Sequence, residues 1–120
     1  SLLMKFNYGK STFLTSGDVY RDKERQLIAR YGEALKADVM KANHHGAHTS
    51  NSMEWVDAIC PSVIYACADD MGSTPFAWKM KAKHIRYYST CLNDLLCIRL
   101  DAEKHVEVMP RFDRKGLGLL

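Results

Sequence analysis

The chain has 120 residues, of which 47% are hydrophobic and 26% charged, and its net charge is +3 at pH 7. That length fits one compact domain, and the composition excludes a disordered, collagenous or low-complexity chain. Because 14 acidic residues are interspersed among 17 basic ones, an ordinary soluble surface is favoured over a dedicated nucleic-acid-binding surface. No apolar run approaches the roughly 20 residues of a membrane span, and no signal peptide is visible. We therefore assign no membrane segment, and the localisation is either cytoplasmic or unknown.

The first quarter of the chain predicts a β-hairpin followed by a helix. Two β-rich runs, over 2–8 and 11–16, are joined by a short glycine-containing turn. Residues 20–31 carry apolar side chains at helical spacing, and a glycine follows them. We expect Asp18 or Asp22 to cap the start of this helix.

The middle of the chain predicts strands that alternate with helices. Residues 37–42 alternate in polarity and predict a short strand. Residues 62–68 form an almost continuous apolar run, which is typical of a strand covered on both faces. Between these strands, Ser50 or Ser52 is expected to cap a helix that Pro61 ends.

The remaining residues continue this alternation. A loop over 69–74 precedes a helix that is expected to begin at Pro75 and to reach Ile85. Three short strands follow, in the segments IRYYST, DLLCIRL and HVEVM, and a tail over 110–120 is expected to fray. The order β-β-α-β-α-β-α-β-β-β predicts an α/β fold, in which helices pack on a mixed sheet.

The cysteine spacing argues against a cysteine-based metal or redox protein. No CxxC pair occurs among Cys60, Cys67, Cys91 and Cys97. Three of the four lie in or beside apolar runs, where cysteine usually behaves as a small buried residue. We expect four free, buried thiols in a reducing compartment.

Polar residues that local structure does not require follow two of the predicted strands. Asp18 comes after the second strand of the hairpin, and His44 and His45, with His48 close by, come after the strand over 37–42. Sites in layered α/β folds gather where strands end. Carboxylate and imidazole are ligands for Zn, Mn or Fe, and such a metal lowers the pKa of bound water toward about 7. The pattern therefore predicts a hydrolytic metal site.

Each of these residues also has a plain structural explanation. Asp18 alone is more readily explained as a helix cap, and adjacent histidines occur by chance in loops. Since side chains alternate along a strand, His44 and His45 would face opposite ways if the strand continued through them. We expect at most one of them to be a metal ligand, while the other orients it or faces the substrate. His84 and His105 are expected to be surface residues.

The order of short motifs resembles one known family. The motifs are SLL at 1–3, SGD at 16–18, ADVMK at 37–41, HHGAHTS at 44–50, the proline at 61, and YSTCLND at 88–94. Together they resemble the C-terminal half of a metallo-β-lactamase-fold hydrolase, most closely the ComEC-type competence and DNA-uptake branch. The resemblance covers residues 1–109, leaves 110–120 as a tail, and implies half of a four-layered αββα sandwich.

The resemblance also implies roles for individual residues. Asp18 would be the carboxylate that bridges the metal ions, either His44 or His45 would be a metal ligand, and Thr49 and Ser50 would shape the rim of the site. Thr74 stands where the family has a histidine, and we assign it to substrate binding.

Two departures from the family pattern limit what this chain alone would do. Thr74 cannot replace an imidazole as an acid, a base or a metal ligand, and the HxHxDH motif of the family does not occur in this sequence. A catalytic zinc site needs about three protein ligands and a water. We therefore expect zinc, manganese or iron in a longer parent protein, and weak or absent metal binding by these 120 residues.

These expectations combine into one principal function. The chain would be the C-terminal part of a metal-dependent hydrolase that cleaves phosphoesters with a metal-activated water and is inactive without the preceding half. That half is its expected partner. A sheet face left uncovered by its absence predicts self-association, by strand exchange or by face-to-face contact.

The alternative function is a non-catalytic module that binds DNA or a protein partner in an uptake machine. Its sequence support is a group of basic and aromatic residues: Trp78, Lys79, Lys81, Lys83, Arg86, Tyr87 and Tyr88. A solvated helix face beside core aromatics is the favoured explanation of that segment.

Overall fold

The computed structural model describes residues 2–68 and 74–110, and at Thr74 it describes the backbone alone. The helices and strands, in chain order, are β1 (Leu3–Tyr8), β2 (Ser11–Ser16), α1 (Arg21–Tyr31), β3 (Val39–Lys41), α2 (Met53–Ile59), β4 (Val63–Ala66), α3 (Thr74–Ala82), β5 (Arg86–Ser89), α4 (Thr90–Asn93), β6 (Leu96–Leu100) and β7 (Val106–Pro110). Short 3-10 turns occupy Gly32–Leu35 and Asn43–Gly46. Residues 69–73 of the predicted loop over 69–74 and residues 111–120 of the predicted tail lie outside the described residues.

Strands β1 to β5 form one mixed sheet in chain order. β1 is antiparallel to β2, whereas β2, β3, β4 and β5 run parallel to one another. The C-terminal ends of these four strands therefore lie along one border of the sheet, which we call the strand-end edge. This mixed sheet with packed helices confirms the predicted α/β fold and is compatible with half of an α/β sandwich. In the described parts of the chain, no helix is long and apolar enough to cross a bilayer.

One face of the sheet is covered by the helices and holds the core. A row of register-paired, buried side chains crosses this face: Leu14, Met40, Ile64 and Tyr87. Buried side chains from α2 and α3 join the same cluster: Trp55, Val56, Ile59, Phe76, Ala77 and Met80. Complete burial of one large apolar side chain contributes about 1.5–3 kcal/mol to stability, so this cluster anchors the sheet from which the strand-end residues project.

The β6–β7 hairpin lies near the opposite face. Phe13 and Tyr65 stack on that face with ring centroids 6.2 Å apart. Both rings line a cleft of about 300 Å³ whose other wall includes side chains of β6. The turn between β6 and β7 contacts the β1–β2 turn, where the Lys10 N–H donates to the Ala102 carbonyl at 2.7 Å.

Helix ends agree in part with the predictions. Gly32 ends α1 with φ +47°, and Ser52 caps α2 by accepting a hydrogen bond from the Trp55 N–H. The predicted α1 cap is wrong, since the N-cap residue is Tyr20 and its side chain makes no capping bond. The Arg21 N–H donates to the Thr49 carbonyl at 3.3 Å. A distant loop therefore satisfies a donor that a local carboxylate was expected to satisfy.

Three other expectations need correction. Helix α3 ends at Ala82, three residues before Ile85, and the segment after β5 forms the short helix α4. The described cysteines are free, as predicted, but the prediction of buried thiols is wrong: Cys60, Cys67 and Cys97 are exposed and Cys91 is half-buried.

The places of the exposed cysteines in the helices and strands explain why these side chains are not buried. Cys60 is the left-handed C-cap of α2, and Cys67 follows the last residue of β4. Cys97 occupies an outward position in the alternating pattern of β6. Apolar neighbours in sequence therefore do not bury a residue that lies at the end of an element or points away from the core.

Candidate functional site

Two polar turns separated in sequence meet at the strand-end edge. The first follows β2 and contains Asp18; the second follows β3 and contains His44 and His45. The His44 N–H donates to the carbonyl of Gly17 at 3.2 Å. Since β2 and β3 are parallel neighbours, this bond joins the turns at the place where α/β folds form their sites.

The His45 ring contacts the next strand of the sheet. Its Nδ1 lies 2.6 Å from the carbonyl oxygen of Cys67, just beyond β4. A carbonyl can only accept, so Nδ1 carries the proton in this contact. The neutral ring then has its lone pair at Nε2, the form in which histidine commonly binds a metal or accepts a proton.

The His44 ring is held by two different neighbours. Its Nδ1 lies 3.2 Å from Thr49 Oγ1, and its ring meets Tyr20 edge-on with centroids 5.2 Å apart. A hydroxyl can donate or accept, so this contact fits either tautomer of His44. His44 is half-buried, whereas His45 and Asp18 are exposed.

Both histidines have left-handed backbone conformations. φ is +47° at His44 and +56° at His45, and Gly46 follows with φ +82°. The strand β3 has ended at Lys41, so the alternation expected for a continuing strand does not apply to this pair. A left-handed conformation costs a non-glycine residue roughly 1–2 kcal/mol, and two in succession require compensation from surrounding contacts.

A buried carboxylate provides contacts of this kind. Glu24 of α1 is fully buried and accepts hydrogen bonds from Asn43 Nδ2 at 2.9 Å, the Asn51 N–H at 2.6 Å and the Ser52 N–H at 2.9 Å. The site residues predicted from the sequence did not include Glu24, Asn43 or Asn51. The available signal was that Glu24 lies three and four positions before Leu27 and Ile28, hence on their face of the helix.

The other predicted site residues occupy varied positions. Thr49 is exposed beside His44, whereas Ser50 is buried and its hydroxyl has no hydrogen-bond partner among the described residues. Thr74 is the first residue of α3, and its side chain lies outside the described residues. His48 is exposed.

Asp18, His44 and His45 do not form a metal site by themselves. Within 2–68 and 75–110, no three side chains of His, Cys, Asp or Glu are placed so that they could hold a metal ion. A catalytic zinc site uses about three protein ligands. The side chains that the structure describes therefore fall short of a complete metal site.

The basic and aromatic segment divides into core and surface. Tyr87 is buried against Phe76, and Lys83 forms an ion pair with Asp57 at 2.7 Å. Trp78 is 51% exposed and has the Lys81 ammonium 5.7 Å from its ring centroid. The favoured explanation, core aromatics beside a solvated helix face, is therefore confirmed for Tyr87, while Trp78 stays on the surface.

Comparisons with known proteins give two partial matches. The chain is 24% identical over 87 residues to the uncharacterized protein YcaI of Escherichia coli, covering 72% of this chain and 11% of that protein. It is 32% identical over 66 residues to the competence protein ComA of Neisseria gonorrhoeae, covering 55% of this chain and 10% of that protein. The chain thus spans about a tenth of the length of these curated relatives. No family model matches it.

The match to ComA supports the predicted resemblance to competence proteins in part. The metallo-β-lactamase fold, the metal and the hydrolytic activity stay predictions.

Proposed function

We propose that this chain is one part of a metal-dependent phosphoester hydrolase. Asp18 and His45 supply ligands at the strand-end edge, and the remaining ligands come from another part of the protein. The observation that carries the proposal is the hydrogen bond from the His44 N–H to the Gly17 carbonyl. It joins the carboxylate turn and the histidine turn where parallel strands end, which is the usual place for a site in an α/β fold.

The contact between His45 and Cys67 supports His45 as the ligand of the pair. Metal-binding histidines usually donate their other ring N–H to a carbonyl or carboxylate, which fixes the tautomer and the ring orientation. His45 Nδ1 makes such a contact with the Cys67 carbonyl. His44, placed between Thr49 and Tyr20, is then the histidine that faces the substrate.

The proposed substrate is a phosphodiester, in keeping with the partial similarity to a competence protein. We propose DNA uptake as the setting, with single-stranded or duplex DNA as the polymer. Zinc, manganese or iron is the proposed cofactor, because carboxylate and imidazole ligands suit these metals.

The test compares the longer protein that the proposal requires with its Asp18→Ala variant. Bound metal is measured by atomic emission, and hydrolysis is followed with bis(p-nitrophenyl) phosphate. We expect Asp18→Ala to lose metal and to lower the rate at least a hundredfold, whereas Asp22→Ala, an exposed acid on α1, retains both. Equal activity of the Asp18→Ala variant and the unaltered protein would refute the proposal.

The exposed Trp78 supports a second function, binding of single-stranded DNA without catalysis. The Lys81 ammonium lies close to its ring. Aromatic rings beside basic side chains stack with nucleobases. Trp55 is buried, so quenching of tryptophan fluorescence by oligo(dT) at low salt reports Trp78. Quenching that disappears in Trp78→Phe supports this function, and unchanged fluorescence at low salt contradicts it.

A further inference from the structure

We infer that Glu24 is the positioning residue of the candidate site. Its buried carboxylate holds the segment 43–52 in place, so that His44 and His45 keep the left-handed conformations described above. The relevance of this role to hydrolysis rests on the proposed function. The positioning role itself rests on contacts that can be tested without an assay of hydrolysis.

Glu24 is the one charged side chain that is buried among the residues the structure describes. Both of its carboxylate oxygens accept hydrogen bonds: Oε2 from Asn43 Nδ2 and the Asn51 N–H, and Oε1 from the Ser52 N–H. A buried carboxylate is unfavourable unless its oxygens are satisfied. The three donors therefore explain how Glu24 is accommodated, and the carboxylate in turn holds the segment that supplies them.

The same segment is closed on itself by its two asparagines. The Asn43 N–H donates to Asn51 Oδ1 at 2.7 Å, and Asn51 Nδ2 donates to the Asn43 carbonyl at 2.8 Å. Asn51 itself has φ +63°. The histidines lie between these asparagines, so Glu24 binds the segment on both sides of them. Strained backbone persists where surrounding contacts over-determine it.

The network also reaches the carboxylate turn. Asn43, whose amide donates to Glu24, is hydrogen-bonded through Oδ1 to the Ser16 hydroxyl at the end of β2. Asp18 lies two residues beyond Ser16. A single buried carboxylate on α1 thus connects to both turns of the candidate site.

The test replaces Glu24 by glutamine in the 120-residue chain. Glutamine keeps the size of the side chain but places an NH₂ donor where an oxygen accepts, so at least one of the three hydrogen bonds is lost. We expect the amide hydrogens of Asn51 and Ser52 to exchange at least tenfold faster. Backbone couplings and carbon shifts of His44 and His45 should move away from left-handed values.

Two controls separate positioning from general loss of stability. Glu54→Gln removes a carboxylate from an exposed position on α2 and should change neither readout. Ile85→Val loosens the far side of the core and should raise exchange broadly without moving the histidine shifts. Asn51→Gly opens the same network with a residue that tolerates φ +63°, so it provides a second variant should Glu24→Gln not fold.

The inference is overturned if His44 and His45 keep their couplings and shifts in the network variant that folds. It is also overturned if Glu24→Gln changes exchange only in the broad manner of Ile85→Val. Displaced histidines in Glu24→Gln, together with unaltered hydrolysis in Asp18→Ala, would uphold the positioning role and refute the proposed function. Displaced histidines in Glu24→Gln would support both if the same substitution in the longer protein lowers kcat at least tenfold and changes KM little.

Discussion

His45 Nδ1 lies 2.6 Å from the carbonyl oxygen of Cys67, and this contact connects the turn after β3 to the end of β4. The contact determines which ring nitrogen carries the proton, because a carbonyl has no hydrogen to donate. It also aims the unprotonated Nε2 away from the backbone that holds the ring. The chemistry proposed for the site depends on this orientation.

The first prediction concerns the tautomer of His45. We expect the neutral ring to carry its hydrogen on Nδ1, so that ¹⁵N spectra of the neutral ring show a protonated Nδ1 and an unprotonated Nε2. His48, which is exposed, serves as the comparison in the same spectra. A neutral His45 with its hydrogen on Nε2 would contradict the contact with the Cys67 carbonyl.

The second prediction concerns Gly9 in the β1–β2 turn. A Cβ built there would lie 2.6 Å from Ala102 Cβ and 2.7 Å from its carbonyl oxygen, and the residue has φ +57°. We expect Gly9→Ala to lower the free energy of unfolding by about 2–4 kcal/mol, since strain and a steric clash add. Urea denaturation measures this change.

Gly32→Ala is the matched control for that variant. Gly32 has φ +47°, but no atom of the described residues lies within 4 Å of a Cβ placed there, so strain without a clash should cost less than at Gly9, about 1–2 kcal/mol. Equal losses at the two glycines would mean that the turn of the β6–β7 hairpin does not pack on Gly9.

Local chemistry predicted most helix ends and strands, but it did not predict the buried network. The Ser52 cap and the Gly32 stop depend on residues within four positions of each other, so a local pattern identifies them. Glu24 and Ser52 are 28 positions apart. A sequence pattern cannot reveal that an acid on a charged helix accepts hydrogen bonds from a distant loop.

The conformation of the histidine turn was not predicted, for a related reason. Two left-handed residues in succession are unfavourable for histidine, so local propensity argues against the conformation that His44 and His45 adopt. The hydrogen bonds of this segment with Glu24, Gly17 and Asn51 span 19, 27 and 8 positions of the chain, so a local pattern does not reveal them. That the two polar turns meet where parallel strands end was predictable, whereas the geometry within the histidine turn was not.

The third prediction concerns acid stability at the turn of the β6–β7 hairpin. The backbone N–H groups of His105 and Glu103 donate to Asp101 and lower the pKa of its carboxyl group. The folded pKa therefore lies below the unfolded value, so the stabilisation is present above about pH 4 and is lost as the pH falls through the folded pKa. Asp101→Asn should make the free energy of unfolding fall less steeply as the pH is lowered below about 4.

Chemical denaturation between pH 2 and pH 6 measures that limb. Asp22→Asn, which removes an exposed carboxylate on α1, controls for the loss of one negative charge. An Asp101→Asn variant with the same acid dependence as the unaltered chain would show that these N–H groups do not favour the charged form.

The fourth prediction concerns Tyr65 in the cleft beneath β6. Burial raises the pKa of Tyr65 to about 12, and the nearby Cys67 thiolate adds to the shift. Since the folded pKa exceeds the unfolded value, the associated stability is complete below about pH 10 and declines as the pH rises through 12. In an absorbance titration at 295 nm, the unaltered chain and Tyr65→Phe should differ by a phenol that titrates near this value. Persistence of that titration in Tyr65→Phe would assign it elsewhere.

The last prediction is that the chain self-associates through β1. This strand lies at the edge of the five-stranded sheet, and it exposes 52% of Phe6 and 64% of Tyr8. An exposed edge strand with aromatic side chains offers unpaired backbone groups and apolar surface to a second copy. We expect light scattering to show a mass that rises with concentration, and Phe6→Lys to abolish the rise because it places a charge on that surface. Tyr31→Lys, on the exposed end of α1, should leave association unchanged. A mass of one chain at all concentrations, or equal effects of the two lysine variants, would show that β1 does not mediate association.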